Sequence, residues 1–261
     1  MALLTCDFFS DALEMGTSVT VVLPQPTEAQ IGIEATTDDT EDPEQGATEP
    51  PVLYLLHGLS DDHTAWLRNT SVERYAAAAG LAVVMPAVAR SFYADEVHGH
   101  RYWTFVSEEL PSVVRRFLRV SDRPEDTYVA GLSMGGYGAL KLALTHPDRF
   151  AAAASMSGAV DVVRLAALGE REALFDRVFG GVPGPADDLF ALLRGLPADG
   201  VPPLHVSCGT EDPLHDANLR FAAAAVEHGV QVTTDFGPGD HEWGLWDRLI
   251  ADIVTWIIAS R

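Results

Sequence analysis

The sequence has only two cysteines, Cys6 and Cys208, among 261 residues. Two cysteines are too few for a disulfide framework and lack the paired spacing of a zinc site, so we expect two small buried thiols and no bound metal. Basic residues are also scarce, because 17 Lys and Arg stand against 38 Asp and Glu, a net charge of -21. Nucleic acids and anionic membranes are recognised through basic patches, so neither is expected as a partner.

Long apolar runs are missing as well. No stretch approaches 18 uncharged apolar residues, which excludes a membrane-spanning helix. The first 15 residues lack a basic segment, and Asp7 and Asp11 interrupt their apolar run, unlike a signal peptide. We therefore expect a cytoplasmic protein. The composition, 47% hydrophobic, is that of a globular chain large enough for one core, and residues 1–261 are predicted to form a single domain.

Short apolar runs alternate along the chain with longer segments of helical periodicity. The apolar runs, which predict strands, cover residues 18–23, 52–56, 81–85, 127–130, 151–155, 204–207 and 230–235. The helical segments cover residues 72–79, 101–118, 135–145, 214–227 and 242–259. This alternation predicts an α/β fold, with a mostly parallel central sheet covered by helices on both faces.

Two segments interrupt this alternation. Residues 27–49 contain eight acidic residues and no Lys or Arg, which predicts a solvated loop insertion. Residues 160–200 mix short helical pieces with Gly and Pro and follow a predicted strand. An insertion there would lie above the carboxyl ends of the strands, where open α/β sheets bind ligands, so we expect a small cap.

The strongest functional signal is the segment GLSMGG at 131–136, which has the form G-x-S-x-G. It lies directly between a predicted strand and a predicted helix, the context in which this motif places a serine on a tight, strained turn. Ser133 is therefore the candidate nucleophile. Its hydroxyl would project from the turn toward the first N–H groups of the helix.

A serine hydroxyl needs a base, and the base needs a third group to orient it. His241 lies in a Gly-rich loop between the last strand and the last helix and is the preferred base, with His215 as the alternative. His205 and His228 are interpreted as structural or solvated. Asp212 follows a strand and is the preferred acid over its neighbour Glu211.

Acyl transfer also requires hydrogen-bond donors for the oxyanion. The backbone N–H of Met134 is the first candidate donor. The second is the N–H of Leu59, because Gly58 lets the chain turn directly after the strand at 52–56. His57 precedes the serine in the chain and is interpreted as a structural hydrogen-bonding residue.

Several ordered segments together resemble the esterase D branch of the α/β-hydrolases. They are HGLSDDHTAW (57–66), VVMPAVARSFYAD (83–95), YWTFVSEELP (102–111), GLSMGGYGALKLAL (131–144), CGTEDPL (208–214) and GDHEWGLW (239–246). That branch includes tributyrin esterases, S-formylglutathione hydrolases and, more distantly, antigen 85 mycolyltransferases. The resemblance implies an α/β-hydrolase fold, the triad Ser133, Asp212 and His241, and an oxyanion hole formed by Leu59 and Met134.

The function expected from these features is cofactor-independent hydrolysis of carboxylic esters with short acyl chains, acting on a small-molecule substrate. S-formylglutathione hydrolysis is the first alternative, disfavoured by the local acidic residues, followed by acyl transfer and by a non-catalytic binding role. The sequence does not determine the oligomeric state and leaves a homo-oligomer as one alternative. Five aromatic residues are candidates either for the substrate pocket or for core packing: Trp66, Tyr93, Trp103, Tyr137 and Trp243.

Overall fold

The computed structural model describes residues 1–25 and 49–259, so the predicted acidic insertion lies outside the described residues except for Glu49. Eight strands in this part of the chain form one sheet. They are β1 (Ala2–Ser10), β2 (Met15–Leu23), β3 (Val52–Leu56), β4 (Ala82–Pro86), β5 (Thr127–Leu132), β6 (Ala152–Met156), β7 (Leu204–Gly209) and β8 (Val232–Gly237). The spatial order is β1-β2-β4-β3-β5-β6-β7-β8. The predicted parallel sheet is confirmed from β4 to β8, whereas β1 and β2 pair in antiparallel fashion.

Helices cover both faces of the sheet, as the sequence predicts. They are α1 (Ala65–Asn69), α2 (Val72–Ala79), α3 (Tyr102–Thr104), α4 (Leu110–Phe117), α5 (Met134–Thr145), α6 (Val162–Ala167), α7 (Glu172–Phe179), α8 (Leu189–Gly195), α9 (His215–Glu227) and α10 (Trp243–Ala259). One core lies between the sheet and α4, α5 and α9, and the other lies beneath α2 and α10. Within the described residues, none of the helices has the length and apolar character needed to cross a membrane.

Strand β3 shows why the central strands are continuously apolar. Its residues alternate between the two cores, because Tyr54 and Leu56 face one while Leu53 and Leu55 face the other. All five residues are buried. Helices on both faces therefore require apolar side chains at every position of such a strand.

The edge strand β1 is not predicted by the apolar pattern. Its hydrophobic side chains include several that face solvent, such as Leu3, 52% exposed, and Phe9, 67% exposed. A strand that pairs on one side only, as β1 does with β2, gives no clear signal of burial. Strand β1 thus belongs to the sheet although its sequence lacks the apolar run that predicts the other strands.

The helical segment predicted at 101–118 is confirmed over residues 102–117, but it is not α-helical throughout. A π-helical turn, Phe105–Glu109, separates α3 from α4. Such a turn leaves the apolar periodicity almost unchanged over one stretch of sequence, so the pattern cannot reveal it. π-Helical turns within helices frequently lie near functional sites.

The segment predicted as a cap contains α6, α7 and α8 and connects β6 to β7. It is tied to the loop that follows β4 by two backbone hydrogen bonds, from Val97 N–H to Val178 O (3.0 Å) and from His98 N–H to Arg177 O (2.9 Å). Arg177 also lies 3.1 Å from the carboxylate of Glu96. These contacts hold α7 against the body of the protein, and a cap role for the segment stays a prediction.

Candidate active site

Ser133 lies on a strained turn between β5 and α5. Its φ of 53° is in the left-handed region, which is costly for a residue with a side chain. Two backbone bonds fix this conformation: Ser133 N–H donates to Met156 O, and Ala159 N–H donates to Ser133 O, both at 2.9 Å. The turn therefore holds the serine in one orientation.

The glycines of the motif allow this turn to fit beneath β3. A Cβ at Gly135 would lie 2.3 Å from the carbonyl oxygen of Leu56, and a Cβ at Gly131 would lie 2.4 Å from the backbone of Gly135. Neither position has room for a side chain. Strand and helix thus approach each other closely at the serine.

The structure brings Ser133, His241 and Asp212 together in one hydrogen-bonded chain. The Oγ of Ser133 lies 3.0 Å from Nε2 of His241, and Nδ1 of His241 lies 2.8 Å from Oδ2 of Asp212. These distances suit a hydroxyl that donates to a neutral imidazole, which in turn donates to a carboxylate. Ser133 is partly exposed, so a substrate has access to it.

Asp212 is held as a buried carboxylate beside this imidazole. Burial raises its pKa, but hydrogen bonds from His241 and from the N–H of Leu214 (2.8 Å) outweigh burial, and the net pKa is lowered. The carboxylate therefore remains ionised near neutral pH. An ionised Asp212 can stabilise an imidazolium at His241.

Two further residues support Asp212 and His241, and sequence reasoning missed both. Trp246 donates from Nε1 to the Oγ of Ser157 at 3.1 Å, and Ser157 also hydrogen-bonds Asp212. The Trp246 ring lies edge-on to the imidazole of His241, with centroids 4.8 Å apart. The only sequence signal for Ser157 is its position directly after β6.

The alternatives considered for acid and base lie elsewhere. Glu211 accepts the N–H of Gly239 at 2.6 Å, so it fixes the loop that carries His241 rather than the imidazole itself. His215 packs edge-on against Phe236 at the start of α9. The two histidines interpreted as structural or solvated also lie away from Ser133. His205 packs edge-on against Trp256, and Nε2 of His228 hydrogen-bonds Leu196 O.

The two candidate oxyanion donors flank Ser133. The N–H of Met134 opens α5, and the N–H of Leu59 follows β3; within the described residues neither donates a hydrogen bond to the protein. A Cβ at Gly58 would lie 3.7 Å from the Cβ of Ser133, which places this loop directly against the serine. Both amides are thus free to bind an anionic oxygen.

His57 has the structural role expected of it. Its Nδ1 lies 2.7 Å from Gly58 O, and its Nε2 accepts the N–H of Val88 at 3.0 Å. The pKa of His57 is lowered, and burial is the main cause, because the residue is only 1% exposed. A neutral His57 therefore links the loop after β3 to the loop after β4.

The five aromatic candidates for the pocket divide into two groups. Trp103 and Trp243 are partly exposed. The other three are fully buried, and their polar atoms bond backbone carbonyls: Trp66 to Leu56, Tyr93 to His57 and Tyr137 to Asp187. The structure places these three in the core, where their surfaces are closed to a ligand.

Cys208 lies beside the site, where its thiol hydrogen-bonds the side chains of Asp212 and Ser157. Cys208 is buried, as expected, and burial raises the pKa of its thiol to about 12, whereas Cys6 is only partly buried. Across residues 1–25 and 49–259, no group of three or more His, Cys, Asp or Glu side chains is arranged to hold a metal ion.

Residues 41–257 match the family model Esterase. The chain belongs to the Esterase family. Membership and the sheet order together make it an esterase of the serine hydrolase class with an α/β-hydrolase fold. The predicted resemblance is confirmed at the level of family and fold.

Individual relatives support the same assignment over almost the whole chain. The fluorophosphonate-binding serine hydrolase FphF of Staphylococcus aureus is 32% identical with a TM-score of 0.87, covering 98% of both chains. The S-formylglutathione hydrolase FrmB of the same organism is 32% identical with a TM-score of 0.84, again over 98% of both. An acetyl esterase of Caldicellulosiruptor saccharolyticus is 27% identical over 98% of each sequence.

Proposed function

We propose that this esterase hydrolyses carboxylic esters with short acyl chains through Ser133, His241 and Asp212. The observation that carries the proposal is the hydrogen-bonded chain from Ser133 Oγ through His241 to Asp212, at 3.0 and 2.8 Å, on a strained turn. In the first step Ser133 Oγ attacks the ester carbonyl carbon while His241 Nε2 takes the hydroxyl proton. Asp212 stabilises the resulting imidazolium.

The carbonyl oxygen becomes an oxyanion in the tetrahedral intermediate. The N–H groups of Leu59 and Met134 are placed to donate to it, and such donors each contribute about 3 kcal/mol to transition-state stabilisation. Collapse breaks the bond to the alcohol, which takes the proton from His241 and leaves Ser133 acylated. Water, deprotonated by His241, then attacks the acyl-enzyme, and the carboxylic acid and free Ser133 are released.

A short acyl group is supported by the acetyl esterase that matches 98% of the chain. Beside the base, the Trp246 ring lies edge-on to His241 and to the partly exposed Trp243, with centroids 4.8 and 5.2 Å apart. These bulky rings close to the base favour a small acyl group.

S-formylglutathione hydrolysis is the second candidate, because FrmB matches the full length with a TM-score of 0.84. Its substrate is an anionic thioester. Asp61 and Asp62 lie in the loop after β3, beside Ser133, and give that edge of the site a negative charge that opposes an anionic substrate. We therefore place simple esters first.

The test measures kcat/KM for p-nitrophenyl esters from acetate to octanoate and for S-formylglutathione, with wild type, Ser133→Ala and the exposed-site control Ser112→Ala. We expect highest activity on the short esters, a loss of about 10³-fold or more in Ser133→Ala and none in the control. Equal rates for wild type and Ser133→Ala would refute the role of Ser133. A much higher value for S-formylglutathione would make the thioesterase the function, and faster transfer to added alcohols than to water would make the protein an acyltransferase.

A further inference from the structure

The segment 157–159 follows β6 and contacts both the nucleophile and the acid of the triad. The N–H of Ala159 donates to Ser133 O at 2.9 Å, and the hydroxyl of Ser157 hydrogen-bonds the carboxylate of Asp212. Ser157 has a φ of 47°, in the left-handed region that is costly for a residue with a side chain. Contacts from outside the 157–159 segment must therefore hold it in this conformation.

Asn218 of α9 supplies such a contact at the middle of the 157–159 segment. Its side-chain amide donates from Nδ2 to Gly158 O at 2.8 Å, and both residues are buried. Within the described residues no other group donates to Gly158 O. Without the amide this buried carbonyl would lack a hydrogen bond, which is unfavourable.

The same amide reaches the segment that carries the acid. Nδ2 of Asn218 also donates to Leu214 O at 2.9 Å, and the N–H of Leu214 donates to Oδ1 of Asp212 at 2.8 Å. Only the NH2 end of the amide can donate to two carbonyls. One side chain thus joins the 157–159 segment to the residues that orient the catalytic carboxylate.

The other end of this amide makes no hydrogen bond. Oδ1 of Asn218 is buried and has no partner in the part of the chain that the structure describes. A buried acceptor without a partner costs free energy. The favourable bonds of Asn218 are therefore those of its NH2 end, the end that bridges the two segments.

We propose that Asn218 is a positioning residue for the triad. It fixes the 157–159 segment against the residues that follow Asp212, and in this way it sets the distance between the nucleophile and the acid. Its side chain bonds no triad side chain and acts only through backbone carbonyls. This role rests on the ester hydrolysis proposed above.

The variants Asn218→Leu and Asn218→Thr separate the bridge from the helix. Leucine has a similar volume and removes both bonds. A threonine hydroxyl has one proton, which within a helix it donates to the carbonyl four residues earlier, so Leu214 O keeps a bond and Gly158 O does not.

Ser155→Ala is the matched control. The Oγ of Ser155 packs against the 157–159 segment, because a Cβ at Gly158 would lie 2.2 Å from it, and it has no hydrogen-bond partner among the described residues. This variant changes the packing at the same place without removing a connection.

The experiment measures p-nitrophenyl acetate hydrolysis at a temperature at which urea unfolding shows each variant to be folded. We expect both Asn218 variants to lower kcat about 10- to 100-fold and to change KM less than about threefold, because the triad is displaced while the substrate surface is intact. Ser155→Ala is expected to keep kcat within about threefold of wild type.

Proton NMR adds a measurement that a purely structural role would not move. The N–H that His241 shares with Asp212, at 2.8 Å, gives a downfield signal that reports the geometry of this pair. We expect the signal to shift or broaden in Asn218→Leu and Asn218→Thr and to be unchanged in Ser155→Ala.

Several outcomes would overturn the proposal. They are a wild-type kcat in either Asn218 variant, an unchanged NMR signal in a variant with lowered kcat, and an equal loss of kcat in Ser155→Ala. If Asn218→Leu does not fold, Asn218→Thr decides. Ser133→Ala distinguishes this proposal from the proposed function: its inactivity beside fully active Asn218 variants would refute only the role of Asn218, whereas its full activity would refute the triad and that role together.

Discussion

The carboxylate of Asp61 accepts the N–H of Gly58 at 3.2 Å, and the N–H of Asp61 donates back to Gly58 O at 3.3 Å. The two bonds close a turn around Leu59, whose amide is the proposed oxyanion donor. We expect Asp61→Ala to lower kcat for p-nitrophenyl acetate about 10- to 100-fold, because a loosened loop no longer presents that amide.

Asp62 provides a matched control for this prediction. Its carboxylate bonds Thr64 and lies 3.4 Å from Arg68, so it acts on the following helix and not on Gly58. We expect Asp62→Ala to change kcat less than about threefold. Similar kcat values for the two variants would argue against a positioning role for Asp61.

The close approach at Gly135 gives a prediction on stability and activity together. Gly135→Ala places a methyl group 2.3 Å from Leu56 O, so strand and helix must separate beneath Ser133. We expect a loss of about 2–4 kcal/mol in the free energy of unfolding, measured in urea, and a loss of kcat in the folded protein. Gly244→Ala is the control, because a Cβ there meets nothing within 4 Å, and it is expected to be neutral or stabilising.

Lys141 and Asp187 form a largely buried ion pair, with 2.7 Å between Nζ and Oδ1. Burial lowers the pKa of Lys141 and the carboxylate opposes this effect. Asp187→Asn leaves the ammonium buried without a counter-charge, so we expect the free energy of unfolding to fall by about 3–5 kcal/mol. Adding Lys141→Met to that variant is expected to restore part of the loss.

An exposed pair serves as the comparison. Arg248 and Asp252 lie 3.5 Å apart with both side chains about half exposed, and Asp252→Asn is expected to change stability by less than about 1 kcal/mol. A similar small effect for Asp187→Asn would mean that the buried pair does not hold the segment that carries Asp187.

His57 predicts a dependence of stability on pH. Its folded-state pKa is lowered by burial, so the unfolded chain takes up a proton first, near pH 6.5. The stability contributed by neutral His57 is therefore present above pH 6.5 and is lost as the pH falls toward the folded-state value. The slope is up to about 1.4 kcal/mol per pH unit.

Urea unfolding at several pH values between 8 and 5 tests this effect. We expect His57→Gln to be less stable than wild type at pH 8, because it cannot bond both Val88 and Gly58 in the same way, but to lose less stability as the pH falls. Parallel curves for the two proteins would exclude His57 as a source of the acid sensitivity.

The residues that sequence alone located have local signatures. Ser133 is marked by a strand, a tight turn and a helix within a few residues, and Asp212 and His241 each follow a strand at the same edge of the sheet. In a parallel sheet these carboxyl ends converge, so position in the chain is enough to predict proximity.

The features that sequence missed depend on tertiary contacts. Ser157 and Trp246 meet across 89 residues, which no local pattern records. A buried tyrosine such as Tyr93 looks the same in sequence whether it lines a pocket or bonds a backbone carbonyl. The π-helical turn differs from an α-helix only in hydrogen bonding, which side-chain periodicity reports weakly.

Lys141 is the only lysine in the sequence, and its side chain is 5% exposed. Its ammonium also lies 4.5 Å above the Trp103 ring and donates to Tyr93 O. The folded protein consequently offers no lysine amine to acylating reagents. Activated esters used as substrates therefore find no surface lysine to acylate in a side reaction. A stable acyl adduct formed with such an ester is to be sought first at Ser133.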